Sequence, residues 1–153
     1  MIVIFLKFSS LYLFYQKVKM NSAVQEVTKH KWFRIARNEC LKSMHHTRFG
    51  TVLILKNGKT FVGCNKDKSH PMLRKHYDFF AHSIHAELDV LLKVNPYRYE
   101  DNLQGSTMYV YREDRNGLLK PAHPCKSCYK IMKDYGVKKC YYTTSNGFNF
   151  TLL

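Results

Sequence analysis

Residues 124–144 read PCKSCYKIMKDYGVKKCYYTT, and the fold turns on how this stretch divides. Lys126 to Tyr135 reads as a helix, Gly136 suits the left-handed position that ends it, and Val137 to Thr144 reads as a strand. Downstream, Ser145-Asn146-Gly147 turns the chain into Phe148-Asn149-Phe150-Thr151-Leu152. The turn is too short for a helical crossover, so the last strand must return antiparallel. Upstream, Thr107-Met108-Tyr109-Val110-Tyr111 has the β-branched and aromatic content of a strand, joined to the helix by a Gly- and Pro-containing loop over 114–123.

Earlier in the chain, Phe33, Ala36, Cys40 and Met44 recur at helical spacing between Thr28 and about His46, with Ile35 and Leu41 widening the stripe. Lys31, Arg34, Arg37 and Lys42 occupy its other faces, as a solvated or ligand-facing basic surface. Thr51 to Leu55 and Thr60 to Cys64 flank Asn57-Gly58, the strongest short hairpin signal because both central positions need positive φ. Residues 65–84 read as a His-rich loop with a short helix, and Pro71 argues against one continuous element through its centre. A second helix runs from about Ile84 to Val94, burying Leu88, Leu91 and Leu92 and ending at Asn95-Pro96. Helix, hairpin, helix, strand, helix, hairpin is the order of an α/β/α three-layer domain around a mixed sheet.

A chain of 153 residues suits one domain, taken as 20–153, with 1–19 an apolar and basic extension. Met1 to Phe5 and Leu11 to Tyr15 are interrupted by Lys7, Ser9 and Ser10, so no run reaches the ~20 apolar residues of a membrane span. Apolar residues at 45% and aromatics at 14% exclude a disordered chain. The formal charge of +14 favours polyanionic partners, nucleic acid among them, or phosphorylated substrates. Five cysteines, of which one pair has metal-ligand spacing, point to a reducing intracellular compartment, cytoplasm or nucleus.

Cys125 and Cys128, three apart at a helix start, place both sulfurs on one face, where the helix N-terminus favours thiolates. Pro124 fits just before them, since its missing N–H costs nothing there. His85 and Glu87 are two apart, about 200° around a helix, so they cannot both be side-by-side ligands. In a first turn facing the metal, His85 binds and Glu87 reaches the adjacent water. Three protein ligands leave the fourth zinc position open, the pattern of a catalytic site. A closed structural site, completed by His82, His123 or Cys140, is the alternative.

His85-Ala86-Glu87 followed by Pro124-Cys125-Lys126-Ser127-Cys128 resembles the zinc-dependent cytidine and deoxycytidylate deaminase superfamily, whose pattern is H-A-E or C-A-E and then P-C-x-x-C. The resemblance covers most of 28–144 in element order and implies a cytidine deaminase-like fold with one catalytic Zn2+. It implies a hydrolase in which zinc hydroxide attacks the ring carbon bearing the amine, with Glu87 shuttling the proton. It also implies that Asn65 bonds the sugar, that the Ala86 backbone and Pro124 carbonyl meet the base and its amine, and that the chain forms a homo-oligomer. Arg112, directly after the third strand, could hold a nucleotide phosphate or pair with Glu113 or Asp114. Phe79, Phe80 and Tyr111 could stack on a base or be core, and His45, His46, His70, His76 and His82 could hold a second zinc or be solvated. Family members act on nucleosides and nucleotides or on bases in nucleic acid; the antiparallel ending favours the former, deoxycytidylate first. Deamination within RNA or single-stranded DNA is the alternative, and a noncatalytic zinc-containing binding protein a second.

Overall fold

The structure, a computed structural model, describes residues 22–68, 70, 83–94 and 102–153. The expectations for residues 1–19, Phe79, Phe80, His76 and His82 lie outside the described residues. In chain order the elements are α1 (Lys31–Lys42), β1 (Arg48–Ile54), β2 (Thr60–Cys64), α2 (Ala86–Leu91), β3 (Ser106–Glu113), α3 (Lys126–Asp134), β4 (Val137–Thr143) and β5 (Phe148–Leu152). Residues 22–29 are also helical, with a break at His30 that separates them from α1.

The strands form one mixed sheet in the order β2-β1-β3-β4-β5. β3 and β4, joined through α3, are parallel; every other neighbouring pair is antiparallel, the last strand included. Alternation along each strand feeds two cores. Val52 and Tyr111 point toward α1, where Phe33, Ala36 and Cys40 are fully buried. Leu53, Met108 and Val110 point the other way, against Leu88, Val90 and Leu91 of α2 and Ile131 and Met132 of α3. Full burial of a side chain such as Phe33 or Leu53 contributes roughly 1.5–3 kcal/mol, so both helical layers are held chiefly by apolar contact.

Three sequence expectations shift. Met44 falls beyond the end of α1 and is 90% exposed, because Ser43 turns the chain into extended backbone. Leu92, expected in the buried stripe of α2, lies just past that helix and is exposed. β1 begins at Arg48 rather than Thr51, since pairing with β3 runs from Arg48 opposite Glu113 to Ile54 opposite Thr107. Gly50 permits the α1 contact: a Cβ there would stand 2.0 Å from the Ala36 carbonyl oxygen and 2.3 Å from the Cys40 nitrogen. No helix among the described residues is long and apolar enough to cross a membrane.

Candidate active site

The N-terminal ends of α2 and α3 meet on the sheet face opposite α1. His85 is the extended residue just before α2, where its carbonyl accepts from Leu88 and Asp89 N–H. Cys125 holds the same position before α3, and its Sγ accepts from the Cys128 N–H at 3.5 Å. The donor atoms of His85, Cys125 and Cys128 all lie within 4.8 Å of one another. His85 Nδ1 is 3.4 Å from Cys128 Sγ and 3.7 Å from Cys125 Sγ. One imidazole and two thiols converging on one point are a donor set suited to zinc. Among the described residues no other group of three metal-ligating side chains is present. His123 and Cys140 stand outside this cluster, so neither completes a closed site, and the His45 and His46 rings lie tilted against each other at 4.2 Å.

The electrostatics follow from crowding. The Cys128 thiol beside it, and then the His85 ring, bring Cys125 down to about 4. Cys128, hydrogen-bonded to Cys125 and buried, is pushed up, while the bond to Cys125 raises His85. One thiolate, one thiol and an imidazole thus share protons that a divalent cation would displace. Glu87 is 4% exposed next to the cluster, and burial raises its carboxyl above the usual range. Its carboxyl also bonds Cys128 and its own backbone.

His85, Glu87 and Cys125 line a cleft together with His45, Thr47, Phe49, Asn65, Ser83 and His123, with Cys128 buried behind them. Asn65 follows β2 and is buried; its Oδ1 accepts from Ser43 Oγ at 2.7 Å and Phe49 N–H at 2.8 Å, and its Nδ2 donates to the Thr47 carbonyl at 2.6 Å. Ala86 lines the same cleft, and the Pro124 carbonyl lies 2.9 Å from His123 Nδ1. The placing of Arg112 is revised, and Tyr111 takes the core position rather than the stacking one. Arg112 is the penultimate residue of β3, not the residue after it. It pairs with neither Glu113 nor Asp114 but lies over the Phe49 ring at 5.1 Å and donates to the Pro121 carbonyl at 3.2 Å. Tyr111 is fully buried on the α1 side and donates to Glu113, away from the cleft.

Sequence reasoning missed Phe49 and Thr47 as cleft residues because it started β1 too late. It also missed Asp89. This buried carboxylate of α2 accepts from Lys66 Nζ at 2.6 Å and the Cys64 N–H at 3.2 Å, and pairs with Lys93 Nζ at 2.9 Å. The backbones of Lys66 and Ile84 bond each other in both directions. Asn65 and His85 are thereby held in one rigid frame. A charged residue inside an otherwise apolar helical run, two positions after Glu87, was the available signal.

Residues 26–144 match the family model described as the cytidine and deoxycytidylate deaminase zinc-binding region. Among solved structures, cytidine deaminase from Burkholderia pseudomallei is similar at 21% identity, covering 80% of this chain and 91% of that one, with a TM-score of 0.59. The dCMP deaminase of cyanophage S-TIM5, in complex with dCMP and dUMP, is similar at 22% identity, covering 74% and 79%, with a TM-score of 0.51. At such identities these likenesses establish the fold. No curated protein matches the sequence.

Proposed function

The chain belongs to the cytidine and deoxycytidylate deaminase zinc-binding family, and we propose that it is a hydrolytic deaminase of cytosine-type nucleosides or nucleotides, deoxycytidylate foremost. The observation that carries this reading is the Glu87 carboxyl, buried beside His85, Cys125 and Cys128 and lining a cleft. A purely structural metal site would have no use for it.

His85, Cys125 and Cys128 would hold the zinc, with Cys125 already favouring its thiolate. When bound, zinc supplies a polarised water whose pKa falls toward ~7. Glu87 takes a proton from water and gives it to the ring nitrogen, then takes the second proton from the added hydroxyl and gives that one to the departing amine. Water and the aminopyrimidine become the carbonyl product and ammonia, and Glu87 ends as it began. Its raised affinity for a proton suits a group that both accepts and donates near neutral pH. The Pro124 carbonyl accepts from the substrate amine, and the Ala86 backbone meets the base edge. Asn65 has one Nδ2 hydrogen committed to Thr47, and offers its other one to the sugar. Phe49 lines the cleft, and Arg112, 5.1 Å over its ring, takes the phosphate of a nucleotide. The net charge of +14 supports a phosphorylated substrate.

The same charge favours a second reading, deamination of bases within single-stranded nucleic acid. Ammonia release from the zinc-loaded protein, followed with cytidine, deoxycytidine, deoxycytidylate, adenosine, single-stranded DNA and RNA, separates the two. The largest kcat/KM is expected for deoxycytidylate. Turnover of polynucleotide with none of any mononucleotide would overturn the first reading, and no turnover with zinc bound would indicate a binding protein.

A further inference from the structure

On the sheet face away from the cleft, α1 packs chiefly on β1, β3 and β2 and meets β5 through Phe33 against Phe148. There the strand register lines up three rings in a row: Tyr109 is paired with Tyr141, and Tyr141 with Phe150. Tyr109 and Tyr141 stack at 4.7 Å with planes 10° apart, and Phe150 follows at 5.7 Å. Phe150 is 48% exposed and Phe148, which packs on Phe33, is 41% exposed. Large rings left this open on a sheet need a reason. Lys139 sits over the row, its Nζ 4.1 Å from the Phe150 centroid and 4.6 Å from that of Tyr141.

The neighbouring segments carry lysines and no acidic residue. Residues 135–153 contain no Asp or Glu, and neither does the stretch between Glu26 and Glu39. That second stretch adjoins the rings: the His30 edge meets Phe148 at 4.8 Å, and Lys31 Nζ lies 4.5 Å over Trp32. We infer that this face of β4 and β5 binds single-stranded polynucleotide at a site separate from the catalytic cleft.

The exposed Phe148 and Phe150 rings, braced by the Tyr109–Tyr141 stack, offer stacking to bases, and Lys139 offers charge to the phosphates beside them; this is the chemistry of sequence-tolerant single-strand binding. A second copy docking by the same patch would bring Lys138 and Lys139 toward their own kind. Rings lying along a sheet are also less suited to insertion into a lipid surface than rings projecting from a helix or loop.

The test is fluorescence anisotropy of a labelled thymidine oligonucleotide with the zinc-loaded full chain; thymine has no exocyclic amine and so cannot be deaminated. Phe150→Ala should weaken binding about fivefold or more. Lys139→Gln should reduce the slope of log affinity against log salt by ~0.7. Both variants should melt like the parent and turn over free nucleoside at the parent rate. Equal binding by parent and both variants would overturn the inference. So would anionic vesicles binding where the oligonucleotide does not, or Phe150→Ala dissociating a dimer in sedimentation while leaving oligonucleotide affinity unchanged.

Discussion

Glu87 and Asn65 are both buried and both line the cleft, yet replacing them is expected to do different things. Burial raises the Glu87 carboxyl above its ordinary range, and Glu87→Gln keeps the shape of the side chain while removing the group that accepts and donates the proton. Zinc content should be unchanged by atomic absorption, and turnover should fall by about 10²- to 10⁴-fold. Unchanged turnover would refute the proton-shuttle role. Asn65→Ala instead takes the acceptor from the Phe49 N–H and the Ser43 hydroxyl. A loss of roughly 1–3 kcal/mol in urea unfolding is expected, beside any loss of substrate affinity. The His-Ala-Glu and Pro-Cys-x-x-Cys motifs were legible in the sequence because their geometry is set within one helical turn. Asn65 was legible as a candidate, and it does line the cleft, but not as a structural hub, since its partners lie 16, 18 and 22 positions away.

At the scale of elements, stability depends on how tightly α1 and α2 sit on the sheet. Gly50→Ala would drive a methyl group into the backbone of α1, which cannot yield as a side-chain tip can. The expected cost is roughly 3 kcal/mol or more, read as a fall in melting temperature. Asp89 clamps α2 to the end of β2. Burial alone would raise its carboxyl, but Lys66 and Lys93 outweigh burial and hold it below its ordinary 3.8. A folded-state value below the unfolded one means that the clamp stabilises above the unfolded value and is lost as pH falls through the folded one. Urea midpoints of the parent should therefore drop more steeply than those of Asp89→Asn between pH values above and below 3.8. Parallel curves would show that the clamp adds nothing. The antiparallel β5 could be read from Ser145-Asn146-Gly147 because turn length alone excludes a crossover. The place of β1 between β2 and β3 could not, because strand order depends on contacts between distant segments, such as Arg48 with Glu113.

For the molecule as a whole, the charge of +14 is too large to be neutralised by the ion pairs within it, and it sets how substrates approach. Many of its carboxylates are already committed: Glu113, 1% exposed, to Arg37 and Arg48, Asp89 to Lys66 and Lys93, and Asp114 to Lys120. The remaining cations act collectively, through a field that reaches ~8–10 Å at ordinary ionic strength and collapses to ~3 Å at 1 M salt. An anionic nucleotide is drawn in by such a field and an uncharged nucleoside is not. The KM for deoxycytidylate should accordingly rise several-fold between low and high salt, with kcat nearly constant, while the KM for deoxycytidine stays flat. Assays at matched pH in sodium chloride and in potassium glutamate distinguish screening from specific anion competition. If both substrates respond alike, the charge plays no part in gathering substrate. The +14 would then give the phosphorylated substrate no support, and its remaining basis would be the position of Arg112 against Phe49.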